Sequence, residues 1–340
     1  MTMTTDKPAA PAEATSDGSA RESALTRLLL RQETTLLIVI VVVGALAASR
    51  SSLFLTQPNL TEILRSSVIY FVMGCGAALL IIGGGFDFSP GAVFTLGALV
   101  ATKLMVDSGY PWPLAVVIGL AICGAVGVAN FAFITYLHVP PIISTLGTYY
   151  MLTGINNLVT DGNDVLPLPD GFQKIGQGEV AGVPTIVLIA VVVGLLFWFL
   201  LERTRFGVNV RALGGNREAA VGNGLRVVRL DLALYVIAAA TACLAGLIYS
   251  ARVGAGQVTA GGTSTTLIAI TAVLIGGVSL MGGLGSIQGV AVGAVLLSLI
   301  DNALVLTEIP PQYNSIIIGA ILVCAVAVDH LRRSRIYRKR

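Results

Sequence analysis

Apolar residues along this chain come in long runs, broken by short polar or glycine-rich stretches, from Thr34 to Val328. A membrane hydrocarbon core of about 30 Å takes about 20 apolar residues per helix, and the runs recur at that length. Buried strands of a soluble α/β protein would give runs of only about 4–8 residues. The pattern predicts ten spans, near 34–49, 62–82, 88–105, 112–137, 141–160, 183–201, 231–250, 266–281, 286–305 and 313–328. The first is short, so Arg50 has to snorkel to the interface. The third opens in Gly83-Gly84-Gly85-Phe86-Asp87-Phe88-Ser89-Pro90-Gly91, where a cytoplasmic turn and a broken or re-entrant helix are both open readings. Irregular backbone survives at membrane depth only inside protein or beside a water-filled cavity.

Composition agrees with the pattern. Of the 340 residues 55% are hydrophobic and 11% charged, against about 25% charged in ordinary soluble domains. Glycine is abundant, with 39 in the chain, and small faces let helix backbones approach closely in lipid. Cys75, Cys123, Cys243 and Cys324 all lie inside apolar runs without C-x-x-C spacing, which makes them packing residues and not disulfide or zinc ligands. The expected fold is an all-α integral membrane protein of about ten transmembrane helices. Residues 1–24 form a disordered cytoplasmic tail rich in Ala, Thr, Ser and Pro. They are no signal peptide, because the first apolar run starts only after Arg31-Gln32-Glu33. Residues 25–330 form the transmembrane domain and 331–340 a basic cytoplasmic tail.

Net charge, at +3, decides little, but its distribution sets the orientation. The loop 202–230 holds Arg203, Arg205, Arg211, Arg217, Arg226 and Arg229, and the C-terminal tail adds Arg332, Arg333, Arg335, Arg338, Lys339 and Arg340. Both belong in the cytoplasm. The loop from Asp161 to Gly182 carries Asp161, Asp164, Asp170 and Glu179 against a single Lys174, and belongs outside. An even number of spans with both termini cytoplasmic satisfies every one of these placements. His138-Val139-Pro140-Pro141 opens the fifth span and Glu308-Ile309-Pro310-Pro311 the tenth. One pair is then cytoplasmic and the other external, which suggests inverted halves; Pro-Pro is equally a good helix start.

The arginine-rich loop contains Gly215-Asn216-Arg217-Glu218-Ala219-Ala220-Val221-Gly222-Asn223-Gly224. Asn216 is a good helix N-cap and Glu218 complements the positive end of a following short helix; Gly222 and Gly224 end it. Such a helix either docks a partner in the cytoplasm or lies at the interface against lipid phosphates. The residues alone leave both open.

Five stretches in order carry a resemblance that favours docking. Gly215 to Ala220 resembles the coupling-helix segment of ABC sugar permeases of the ribose/xylose/galactoside type, within the branched-chain amino acid and monosaccharide permease superfamily. Gly84 to Gly91, Val139 to Thr148 and Ile275 to Ser286 are similar to further motifs of that family, and Asn130 and Asn302 fall at its usual asparagines. The match runs from about residue 35 to 329. It implies an importer permease for a monosaccharide or polyol in a bacterial cell membrane, in contact with membrane lipid. Implied partners are two cytoplasmic ATPase subunits or one fused double ATPase, an extracytoplasmic solute-binding protein, and a second permease chain, identical or not. ATP binds the partner subunits and the chain itself needs no cofactor. The implied coupling residues are Gly215, Asn216, Glu218, Ala219, Ala220 and Gly224.

Departures from the family pattern limit the choice of solute. Phe86, Phe88 and Pro90 replace smaller or different residues, and Phe131 stands where glycine is common. Thr266 and Ile268 stand where two acidic residues are frequent, and Asp301 where asparagine is usual. Branched-chain amino acids, nucleosides and a quorum-signalling sugar derivative stay open as solutes.

Polar residues inside apolar runs are the remaining candidates. A charge at a helix centre costs about 2.5–3.5 kcal/mol on insertion scales, so Asp87 and Asp301 need a reason. Asp87 either caps the third helix or lines the path, and Asp301 sits near the outer end of its span. Ser89, Asn130, Thr145, Asn156, Asn157 and Asn302 either bond solute hydroxyls or hold helices together. No G-x-x-x-x-G-K-[ST] phosphate loop exists in the chain, and no catalytic constellation or nucleic-acid motif is visible. A secondary transporter would carry ionisable groups deep in several helices, which this sequence lacks.

Overall fold

The computed structural model describes residues 32–337, so the expected tail at 1–24 lies outside the described residues. Ten helices coincide with the ten apolar runs. They are α1 (Gln32–Arg50), α2 (Gln57–Ile82), α3 (Pro90–Val106), α4 (Trp112–Thr135), α5 (Pro141–Thr160), α7 (Thr185–Arg203), α10 (Val227–Val253), α11 (Thr263–Ile275), α12 (Ile287–Leu306) and α13 (Pro311–Tyr337). Three short helices stand between them: α6 (Asp170–Gln177), α8 (Arg205–Gly215) and α9 (Arg217–Gly222). A two-residue hairpin, β1 (Glu179–Val180) against β2 (Val183–Pro184), is the small exception to an all-helical chain. Helix α13 runs on to Tyr337, so residues 331–337 of the expected basic tail are helical and 338–340 lie outside the described residues.

Prolines start several of these helices, at Pro58, Pro90, Pro113 and Pro141, where the missing N–H costs nothing. Helices α2, α4, α7, α10 and α12 are long and apolar enough to cross a membrane by length and composition. Helices α1, α3, α11 and α13 contain shorter apolar stretches. Helix α5 falls in neither group, because its exposed side carries Thr153, Asn157 and two glycines.

The core is built on α2 and α10, which make the most extensive helix contact of the molecule. They run antiparallel. Arg252 of α10 bonds Glu62 and Ser66 at one end, and Gly83 meets Leu234 at the other. Between these, Gly76 lets the helices touch: a Cβ there would fall 2.9 Å from the Cα of Ala238. Helices α3 and α4 pack on one flank of this pair, and α11 and α12 on the other.

That arrangement repeats within the chain. His138, between α4 and α5, has φ 54°, and Glu308, between α12 and α13, has φ 55°. Both are non-glycine residues in the left-handed region, each one residue before an X-Pro-Pro helix start. The amide of Val139 bonds back to Phe133 and that of Ile309 to Leu304. Helices α1–α5 thus correspond to α7 and α10–α13, and the antiparallel α2/α10 pair makes the halves inverted, as the Pro-Pro starts suggested.

Candidate functional site

Two regions hold the sequence-derived candidates, and the structure ties them together. The first lies where α3 and α11 begin. The same sequence spacing separates Gly91 from Gly261 as separates His138 from Glu308, and these two glycines meet. A Cβ on Gly261 would stand 2.1 Å from the Gly91 carbonyl oxygen. Gly91 N–H donates to Thr266 Oγ1 at 2.9 Å, and Gly261 N–H donates to Thr95 Oγ1 at 3.0 Å. Each short helix therefore supplies an acceptor for an amide at the start of the other. The segment 83–89 is non-helical, and α3 is the short helix that the glycine run foreshadowed.

Around the crossing stands a buried polar chain. Asp87 Oδ1 accepts from both the backbone and the hydroxyl of Ser89 at 2.7 Å. Asn130 Nδ2 donates to Ser89 Oγ at 3.0 Å, and Thr148 Oγ1 donates to Asn130 Oδ1 at 2.6 Å. Phe88 N–H donates to Thr145 Oγ1, and Asn156 Nδ2 to the carbonyl of Ala92. Asp87, Ser89, Asn130, Thr145 and Asn156 are thus all buried and all engaged in holding α3 to α4 and α5. Asp87 makes a turn with Ser89 ahead of the helix and does not bond the amides of α3, whose start carries no side-chain cap. Asn157 alone of the path candidates is exposed, on the open side of α5. Half-buried Asp301 accepts from Asn314 Nδ2 at 2.6 Å, linking α12 to α13. Asn302 exchanges two amide bonds with Asn59, at 3.0 and 2.8 Å, linking α12 to α2.

The second region is the arginine-rich segment. Asn216 caps α9 as its type demands, its side chain accepting from Ala219 N–H at 2.9 Å. Gly215 ends the preceding helix α8, and Gly224 follows α9 with φ 77°. Arg217, Glu218, Ala219, Val221 and Gly222 are exposed. Ala220 is not: at 6% exposure it turns into the chain itself and seats α9.

This element is anchored on three sides. Arg217 pairs with Asp231 at the start of α10, at 2.5 Å. Arg211 pairs with Glu202 and donates to the carbonyl of Gly285. Gly214 packs on the end of α2, where a Cβ would fall 1.9 Å from the Ile82 carbonyl oxygen. One turn beyond Asp231, Tyr235 donates its hydroxyl proton to the carbonyl of Phe86, in the segment that leads to the crossing. Asp231 and Tyr235 thus connect α9, through α10, to the segment that precedes α3.

Comparison with known proteins agrees with this architecture. The model of the family described as branched-chain amino acid transport system / permease component matches residues 59–326. The chain belongs to this family. The D-allose transport system permease protein of Escherichia coli (strain K12) is 34% identical over 278 residues, covering 82% of this chain and 85% of that protein. The ribose import permease protein of Bacillus subtilis (strain 168) is 34% identical, covering 81% and 86%. The galactose/methyl galactoside import permease protein of Salmonella typhimurium is 33% identical, covering 86% and 92%. No solved structure matches the chain. The permease is thus a multi-pass protein of the bacterial inner membrane. It is a transport subunit of an importer whose partners are an ATPase and a solute-binding protein.

Sequence reasoning missed two parts of the permease's machinery. Helix α8 went unseen although Thr204 caps it, accepting from Gly207 N–H. The glycine-rich run Gly254 to Gly262 was not singled out, yet it holds Gly261, the counterpart of Gly91. Thr266 was noted only as a departure from an acidic position, and it proves to be the acceptor at the crossing.

Proposed function

We propose that this permease forms the membrane path of a binding-protein-dependent importer for a monosaccharide or polyol. Two permease chains enclose one path, with two ATPase subunits or one double ATPase beneath and the binding protein above. The observation that carries the reading is the set of sugar import permeases matched at 33–34% identity along most of both chains. Arginine placement supports both termini and the segment 204–226 in the cytoplasm.

The geometry suits the task. Closure of the ATPases pushes on the exposed residues of α9, and the anchors at Asp231, Ile82 and Gly285 carry that push into α10, α2 and the α11–α12 turn. Helix α5 supplies the path. Its open side sets Gly147, Thr153, Gly154 and Asn157 among the exposed apolar residues Ile143, Met151, Ile155 and Leu158, a surface with polar groups that a hydrated solute can bond and an apolar part that a second permease chain can cover. The buried chain from Asp87 to Thr148 holds α5 against α3, so movement of α3 carries α5 with it.

The test is uptake by the assembled importer, permease with its ATPase and binding protein, in proteoliposomes. ATP-dependent accumulation of labelled D-allose, D-ribose or D-galactose is expected, with none from the permease alone. The family description names branched-chain amino acids, and uptake of labelled leucine with no sugar uptake would establish that second reading instead.

A further inference from the structure

Helix α7 is the most apolar of the five helices long enough to span a membrane, and the least buried of them. Val191, Val192, Leu195, Leu196 and Phe199 form its open side. From Ile186 to Leu201 Trp198 is its only residue able to hydrogen-bond through its side chain. A face of that composition suits acyl chains.

A groove of about 450 Å³ runs along α7, walled by α2 and α12. Phe71, Gly194, Trp198, Ala291 and Val295 are among its lining residues. Gly194 keeps it open, since a Cβ there would meet the Phe71 ring at 2.9 Å. On α7 it extends from Val187 to Trp198, about 17 Å at 1.5 Å per residue. Arg203, at the end of α7, lies five residues past Trp198 and sixteen past Val187, so the far end of the groove is about 24 Å from it. An acyl chain of one leaflet, reaching about half of a 30 Å hydrocarbon core, occupies the part nearer Trp198.

One end of the groove is charged. The guanidinium of Arg203 lies 5.5 Å from the centroid of the Trp198 ring. Arg205 follows at the start of α8, and both arginines are exposed. Neither forms an ion pair among the described residues. Gln288 opens onto the same end. We propose that this groove is a binding site for an anionic phospholipid of the cytoplasmic leaflet. One acyl chain occupies the Trp198 end of the slot between α2, α7 and α12, and the phosphate rests on Arg203 and Arg205. A zwitterionic lipid fits the slot equally but leaves the two cations uncompensated, so selectivity resides in the headgroup. The site rests on the multi-pass reading and on the proposed cytoplasmic placement of the segment 204–226, and holds whichever solute is carried.

The chain has two tryptophans, which makes the test direct. In Trp112→Phe, Trp198 is the sole indole, and brominated acyl chains quench it on contact. The purified variant is placed in phosphatidylcholine bilayers containing a minor fraction of brominated phosphatidylglycerol or brominated phosphatidylcholine. Brominated phosphatidylglycerol is expected to quench several-fold more at equal mole fraction, and unlabelled phosphatidylglycerol to reverse that excess. Adding Arg203→Gln should reduce quenching to the phosphatidylcholine level. Equal quenching by both lipids in the parent variant overturns the site. So does protection of Trp198 from both, the result if a second copy or a partner subunit covers the groove.

Discussion

Gly91 gives its backbone hydrogen to Thr266, 175 residues away in the chain. That single bond joins the first helix turn of α3 to that of α11. Loss of the hydroxyl leaves a buried amide without an acceptor, which costs about 1–3 kcal/mol. Thr266→Val should therefore lower the thermal unfolding midpoint of the purified permease by several degrees, while Thr266→Ser keeps it. Thr95→Val should behave alike through Gly261. A Thr266→Val protein as stable as the parent would remove the crossing from the list of stabilising features.

Burial separates two neighbouring alanines in α9. Ala219 is exposed and Ala220 is buried. Ala219→Trp should leave the permease folded and monodisperse but abolish ATPase co-purification and uptake, as should Glu218→Arg. Ala220→Trp forces an indole into a filled site, where overpacking costs about 1–3 kcal/mol, and should lower yield and unfolding temperature as well. Full uptake with normal ATPase association in Ala219→Trp would show that α9 is not the coupling element.

The reciprocal amide pair of Asn59 and Asn302 lends itself to a double-mutant cycle. Side-chain hydrogen bonds between membrane helices contribute about 0.6 kcal/mol on average and up to about 1.7. Asn302→Leu alone strands the side-chain oxygen of Asn59, whose Nδ2 still donates to the carbonyl of Phe54, and should cost a value within that range. Asn59→Leu with Asn302→Leu should recover part of it, because paired removal leaves only the carbonyl of Phe54 without the donor it had in Asn59. Additive losses in the double variant would mean that the pair acts through water or solute instead of through each other.

Orientation is open to labelling in intact cells. A cysteine at Gly178 should react with an impermeant maleimide added outside, and cysteines at Asn223 or Ser334 should not. The background requires the four native cysteines to be replaced. External labelling at Ser334 would reverse the assignment of the C-terminus.

What the sequence made legible depended on the range of the interaction. Helix runs, proline starts and the Asn216 cap are local, fixed by residues within one or two turns, and α4 and α5 were read almost to their ends. The turn at His138 and its counterpart at Glu308 were visible because both repeat the same four-residue grammar. Partners were not visible. Asn302 bonds Asn59 of α2, 243 residues away in the chain, and Ala220 is buried by packing that an alanine in a short helix does not announce. The Gly254 to Gly262 run is rich in glycine like the stretch that ends at Gly91, but has no carboxylate or proline. Without those markers it was not singled out.

The crossing of α3 and α11 also bears on how the protein is made. When Gly91 enters the membrane, the residue that will accept its amide has not yet been synthesised. At about 5–20 residues per second, Thr266 follows roughly 9–35 s later. Until then the beginning of α3 must borrow a substitute, from water, from lipid headgroups or from the insertion machinery. A nascent first half is thus an unfinished object held open for its mirror image. Ribosome-stalled chains ending before Thr266 should be the ones that the cell's membrane quality control degrades fastest.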